Sequence, residues 1–392
     1  MTNLDINKIR EDFPLIKNRL WFQNGFVSAI PTPVMKKQNE YFEELYIKGP
    51  MHLLYPEIEN PRRIESVKNI AKFIGAEYSE IALTLGVSDG FLKVLNSINW
   101  NENDEIILTI DEAAIENPCK MLADSRKLKL KMVPLVEDIS EQIEIFKNAT
   151  SKRTKLIAFS HVTTDSGHKL PAKEICDFAK KLSILTYVDL AHSVGVMPIN
   201  VTEMNCDFAS ILSYKWTFGP YSVGALYVNK NSLNKLQHDI VSGRVGIHED
   251  ETIKIPQNTK KFESGPWCWP LIHTWSYSLD YLSEKGINSI WDRTKLLTQM
   301  LKDGLMKIPE VKMFTPYKSQ ASGPLVTFKI QNFNEEKIGK QLKTQYNIDI
   351  KYNLDSIKGL RASIPFFMLE EEIEKLLSSL KEIIYKKDST FT

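Results

Sequence analysis

Between residues 81 and 228 the sequence alternates short strand-like apolar runs with helical periodicity, and few folds accept that alternation. Strand-like runs at 81–85, 105–110, 129–133, 155–160 and 184–188 are separated by helical patterns near 91–98, 118–126, 139–148 and 172–182. Two more runs, 208–212 and 225–228, extend the series. Strands alternating with helices predict an α/β fold, a mostly parallel sheet flanked by helices. Ligands of such sheets sit beyond the carboxyl ends of strands. The turn at 86–90, the residues after Ser160, and Asp189 all fall at such ends.

A chain of 392 residues is too long for one ordinary core, so two domains are expected. The division reads as an N-terminal arm (1–20), a large domain (21–260) and a smaller C-terminal α/β domain (261–392). A net charge of +1 gives no case for nucleic acid or an anionic membrane as partner. The N-terminus mixes both charge signs and does not read as a secretory signal, and no apolar run has the length of a membrane span. Cys119, Cys176, Cys206 and Cys268 are far apart, with neither metal-ligand spacing nor a disulfide pattern. A cytoplasmic location with reduced thiols is expected.

The stretch 184–228 carries the chemistry. One strand-like run ends on Asp189, with Ala191, His192 and Gly195 following; the next leads to Ser213-Tyr214-Lys215 and then Gly219-Pro220. Pyridoxal 5'-phosphate needs this pair: a lysine amine for its Schiff base, and an anion to hold a proton on its ring nitrogen. A lone strand-ending aspartate is more often a turn residue and a lone lysine a solvated charge; the combination in this order is what points to function. Upstream, Gly86-Val87-Ser88 lies between a strand and a helix, where unpartnered backbone N–H groups favour an anion. Ser88 either caps that helix or donates its hydroxyl to a phosphate.

Asp189-x-x-His192-x-x-Gly195, Asp207-Phe208, and Lys215 with Gly219-Pro220 resemble the class V aminotransferase family of fold-type-I pyridoxal phosphate enzymes. That family includes cysteine desulfurases, isopenicillin N epimerase-like enzymes and kynureninases. The resemblance covers nearly the whole chain and implies a homodimer acting on an amino acid. Lys215 would bind the cofactor and then move protons at Cα, Asp189 would pair with the ring nitrogen, and His192 would meet the phenolic oxygen. Gly86, Val87, Ser88 and Tyr214 would hold the phosphate. Thr163 and Thr164 stand where desulfurases carry asparagines, one of which contacts the phenolic oxygen, and Thr164 would bind the cofactor. Gly359-Leu360-Arg361-Ala362-Ser363 resembles the family's arginine segment, so Arg361 would bind the substrate carboxylate. Asn24, in a segment similar to the one along the active-site mouth, would assist. His161 reads slightly better as a structural histidine, and Phe262 to Pro266 resembles a segment that crosses to the partner's cofactor.

The reaction is left more open than the cofactor. Elimination (a lyase reaction) or epimerisation at Cα or Cβ is the leading expectation; transamination, kynureninase-like hydrolysis and a non-catalytic binding protein are the alternatives. No cysteine lies in 314–324, where desulfurases carry a thiol on a mobile loop, and Cys268 between Trp267 and Trp269 reads as packing. The family usually stacks a histidine or aromatic ring on the cofactor from the segment after the 105–110 strand. Alignment on Pro118 puts Glu112 there, or Ala113 after a one-residue slip. Glu112 is either a solvated turn residue or a desolvated carboxyl with a raised pKa that moves protons at Cβ or beyond. The polar stretch 229–261, with Ser242-Gly243-Arg244 and His248, is a candidate loop over the site.

Overall fold

The computed structural model describes residues 4–50, 55–237, 246–247, 253–254 and 256–386. The segment around Ser242, Arg244 and His248, read as a loop over the site, lies outside the described residues. The alternation closes into a seven-stranded sheet. In chain order its strands are β1 (Ile81–Thr84), β2 (Glu105–Thr109), β3 (Lys129–Val133), β4 (Thr154–Ser160), β5 (Leu185–Asp189), β6 (Phe208–Leu212) and β7 (Gly224–Val228). Across the sheet they run β1, β7, β6, β5, β4, β2, β3, all parallel except β7, which is antiparallel to both neighbours.

Successive strand residues point to opposite faces, and each face has its own core. Ile107, Phe159, Val188 and Ile211 pack with Trp275 on one side; Leu108, Ala158, Tyr187 and Phe208 pack with Phe91 on the other. Burial on both faces explains why these strands read as continuous apolar runs. The exception is β3, whose Lys129 and Lys131 suit an edge strand because charge there blocks pairing with another chain.

Three helices begin earlier than their sequence pattern suggests. The helix expected from 91 spans Val87–Ser97, so most of the presumed turn is its first turn. Gly90 is not a turn signal; a Cβ there would collide with Ser210 Oγ on β6. The helices Ala113–Arg126 and Pro56–Phe73 enclose Pro118 and Pro61, which the sequence presents as breakers. Both prolines lie in the second turn, so each missing N–H forfeits one intrahelical hydrogen bond.

The C-terminal unit has an antiparallel sheet of Val311–Met313, Leu325–Ile330 and Leu360–Ser363. The helices Ile287–Leu305 and Glu370–Lys386 supply apolar side chains to its core. It also contains a helix, Glu335–Tyr346, and a strand, Ile348–Ile350, that the sequence pattern did not reveal. That short strand pairs in parallel with Leu20–Phe22, and Leu20 and Phe22 are buried in the C-terminal core. A boundary at residue 20 therefore does not follow the packing. Cys268 also departs from expectation: it is exposed, at the N-cap of the helix Trp269–Lys285, with half-buried tryptophans on either side.

Candidate active site

Loops after β1, β2, β4, β5 and β6 converge on one cavity of about 470 Å³. Gly86, Ser88, Glu112, Thr164, Asp189 and Lys215 all line it. The parallel sheet produces this convergence, since each of those strands ends at the same edge.

At the β1 end, Gly86 is the N-cap of the helix Val87–Ser97 and no side chain caps it. Ser88 is therefore not a cap, because it already lies in the first turn. The first amides of a helix have no intrahelical partner, and a Cβ built on Gly86 would meet nothing within 4 Å. Asp89 does not cancel this positive cradle. Its carboxylate accepts from Leu85 N at 3.0 Å and pairs with Lys93 Nζ at 2.9 Å. Tyr214 lines the cavity and stacks on Tyr221 at 5.1 Å between ring centroids.

Lys215 stands in the turn after β6, which closes where Gly219 N donates to Ser213 O at 2.8 Å. Thr217 receives a hydrogen bond from Trp275 Nε1 at 3.0 Å, fixing that turn to the buried helix Trp269–Lys285. Lys215 Nζ lies 3.2 Å from His192 Nε2, and Trp216 Nε1 donates to His192 Nδ1 at 3.4 Å. With Nδ1 accepting, the ring's own hydrogen sits on Nε2 and points at Lys215, the arrangement that suits the neutral amine. Burial pushes the Lys215 amine down to about 8 and holds His192 well below its usual range. Gly195, at φ 94°, completes the motif: a Cβ there would strike the Trp216 carbonyl. His192 thus stands beside the lysine nitrogen.

Asp189 ends β5. Its Oδ1 accepts from Ala191 N at 2.7 Å, and burial raises its pKa. Glu112 is buried beside it rather than solvated: Ser160 Oγ donates to Oε2 at 2.9 Å and Thr164 Oγ1 to the same atom at 2.5 Å. Burial and the nearby Asp189 charge raise Glu112 to about 7. Of the two readings, solvated turn residue and desolvated carboxyl, the burial matches the second, at the N-cap of Ala113–Arg126. Thr164, which lines the cavity, gives its hydroxyl hydrogen to Glu112.

Arg361 is buried at 2% exposure, which removes the reading of a surface ion pair. Its Nη1 donates to the Thr164 carbonyl at 2.7 Å, while Nε has no hydrogen-bond partner. Asn24 is fully buried with neither Oδ1 nor Nδ2 partnered. Gln23 bridges to Ser363, so Asn24 lies beside the strand that carries Arg361. His161 stands apart: its Nδ1 meets Ser193 Oγ at 2.8 Å and burial pushes it down to about 3, in keeping with a structural histidine.

Sequence reasoning gave no role to Ser160, Trp216, Asp355 or Ser356. Asp355 lines the cavity from the C-terminal unit. Next to it, Ser356 Oγ is held 2.8 Å from both Asp111 Oδ1 and Asp165 Oδ2. Only the fold brings those three segments together, so no spacing signals them. Among the described residues no His, Cys, Asp and Glu cluster suits a metal ion, and no helix is long and apolar enough to cross a membrane.

The Aminotransferase class-V family model matches residues 21–376. The chain belongs to the class V aminotransferase family. A probable cysteine desulfurase of Pyrococcus abyssi is 25% identical, with 96% of this chain and 97% of that protein covered. The isopenicillin N epimerase of Streptomyces clavuligerus is 28% identical over 80% of this chain and 82% of its own. Among solved structures, a cystine C–S lyase in complex with its product cysteine persulfide superposes with a TM-score of 0.86. It is 22% identical and covers 94% of this chain and 98% of its own, which shows the shared fold. Class V aminotransferases are enzymes that use pyridoxal 5'-phosphate, and the donors here fit that cofactor. The open cradle at Gly86 suits a phosphate, the buried Asp189 carboxylate a protonated ring nitrogen, and the amine of Lys215 a carbonyl carbon.

Proposed function

We propose that this class V enzyme is a lyase that withdraws the Cα proton of an amino acid and expels a substituent from Cβ. The carrying observation is the facing pair in one cavity: an amine held towards its neutral form, Lys215, and a desolvated carboxyl, Glu112. Pyridoxal phosphate, when bound, supplies a ring that accepts the electron pair left at Cα when a bond there breaks. The helix amides at 87–89 and the Ser88 hydroxyl hold its phosphate, and Asp189 keeps a proton on its ring nitrogen. Lys215 would hold the cofactor and, as a free amine, take the proton from Cα. His192 Nε2, 3.2 Å from the lysine nitrogen, would orient it. The test is product analysis with β-substituted amino acids, where a lyase yields a 2-oxo acid and ammonia; racemised substrate alone would favour the epimerase reading instead.

In this proposal Arg361 and Asn24 receive the substrate α-carboxylate, which gives partners to the free Nε and to the orphaned amide. A guanidinium meets a carboxylate with two parallel hydrogen bonds and an ammonium does not. Arg361→Lys is therefore expected to raise KM for a free amino acid about tenfold or more, roughly the loss of one charge-assisted hydrogen bond. An unchanged KM places the carboxylate elsewhere.

The chain is proposed not to form a protein-bound persulfide. The loop across 314–324 has no cysteine, and it is tied down: buried Lys302 Nζ donates to Tyr317 O at 2.8 Å and to Ser322 Oγ at 3.0 Å. Incubation with free cysteine followed by intact-mass measurement is expected to show no added sulfur; a persulfide on any cysteine, exposed Cys268 included, contradicts this. The proposal includes a homodimer in the cytoplasm. Phe42, Tyr46, Ile47 and Ile58 on the helices Thr32–Lys48 and Pro56–Phe73 are exposed apolar side chains that a second copy would cover.

A further inference from the structure

Glu112 is built differently from the other carboxylates around the cavity. Asp89 is tied to Lys93 and Leu85, Asp189 receives the Ala191 amide, and Asp111 is engaged by Ser166 and Ser356. Glu112 takes two hydroxyl donors, and both go to one oxygen, Oε2. Each hydroxyl has one hydrogen to give, so Oε2 is saturated as an acceptor. A proton bound to this carboxyl accordingly rests on Oε1, the oxygen that neither hydroxyl occupies, on a residue that lines the cavity. Thr164 also fixes where that proton stands. Its hydroxyl holds Glu112 while its carbonyl holds Arg361 Nη1 at 2.7 Å, so one residue sets the spacing between acid and arginine.

We infer that Glu112, through Oε1, donates a proton to the atom leaving Cβ, and that the substrates are amino acids whose β-substituent is too basic to depart as a bare anion. The inference rests on the lyase reading above. Lys215 takes the Cα proton and that bond's electron pair forms the Cα=Cβ double bond. The Cβ–X bond breaks with its pair going to X, and X takes the proton from Glu112. One proton enters the protein at Lys215 and one leaves at Glu112, so no oxidant or reductant is needed. Alkyl thiolates, alkoxides and amines are leaving groups of this class, whereas a persulfide or an activated aryl thiolate departs without such help.

The groups that act on Glu112 set the pH at which it carries its proton. Asp189 on β5 disfavours its charge, Lys215 and Arg361 favour it, and the phenol of Tyr187 feels it from β5. Burial is the largest influence and leaves the carboxyl near 7, protonated below that pH and lost as an acid above it.

Two measurements test the inference. In the cofactor-free protein, difference infrared spectroscopy is expected to show a protonated carboxyl band that disappears as pH rises through about 7 and is absent from Glu112→Gln. In the holoenzyme, S-ethylcysteine and S-(4-nitrophenyl)cysteine compare a basic with a weakly basic leaving thiol. Glu112→Gln is expected to slow the first by roughly 100-fold or more and the second by less than about tenfold, since general acid catalysis contributes about 10²–10⁴-fold where the leaving atom needs a proton. Equal losses with both substrates make Glu112 a positioning residue and overturn the inference. An absent infrared band, with elimination intact in the parent enzyme, overturns it too and leaves the lyase reading standing. A titrating band in a parent enzyme that eliminates neither substrate sinks the lyase reading and the acid's role together.

Discussion

Lys215→Ala is expected to abolish covalent attachment of the cofactor and to cut turnover by roughly 10³-fold or more, in the range that a lost general base alone costs. Borohydride reduction and peptide mapping of the parent protein should place the pyridoxyl group on Lys215; a label on another lysine would overturn the assignment. The pH dependence has a definite sign. Burial disfavours the ammonium, so the nucleophilic neutral amine dominates above about 8 instead of above the 10.5 of a free lysine. Competitive acylation of the cofactor-free protein should accordingly show Lys215 becoming reactive as pH rises through about 8, ahead of the surface lysines.

The second large effect belongs to Asp189. Asp189→Asn keeps the shape and can still hydrogen-bond, but it removes the charge that holds a proton on the ring nitrogen. Breaking a buried charge pair from one side costs about 3–5 kcal/mol, or roughly 10²–10³-fold at 1.4 kcal/mol per decade. Turnover should fall by that factor while part of the cofactor stays bound, read from its absorbance after gel filtration. Near-normal turnover removes the proposed role. Asp189 itself is held above its usual pKa mainly by burial, with the Ala191 amide and Lys215 pulling the other way. Without the ring's positive charge the site is therefore a poor place for an anion, and cofactor loading should add to thermal stability.

The sheet was legible because its burial on both faces writes long apolar runs into the sequence, each ending at a residue of the site. Asp189 and Lys215 are strand-end residues and could be read from position. Helix starts were less legible, since Pro61 and Pro118 are breakers in general but lie in early turns here. The environment of Glu112 was half legible: alignment gave its place, while its burial depends on Ser160 and Thr164, which arrive from β4. Asp355 and Ser356 were illegible, because what places them is the contact of Ser356 with Asp165 and Asp111, 191 and 245 residues earlier. His192 was legible as a site residue but not as the lysine's neighbour, which depends on Trp216 folding back over it.

The pairing of Leu20–Phe22 with Ile348–Ile350 bears on how the protein is made. A ribosome delivers the first of these strands long before the second. Until then Leu20 and Phe22, which end up buried, have no partner and travel as a sticky apolar stretch beside a large unit able to close its own sheet. Contacts so distant along the chain form late and slowly. The segment just beyond them holds Asn24, and Ser28 N donates to the carbonyl of Tyr214 at 2.9 Å, beside the cofactor lysine. A newly made chain should thus acquire its sheet, and the cradle at Gly86, before the mouth of its cavity is finished. Maturation ends, on this view, when two stretches far apart along the polypeptide find each other.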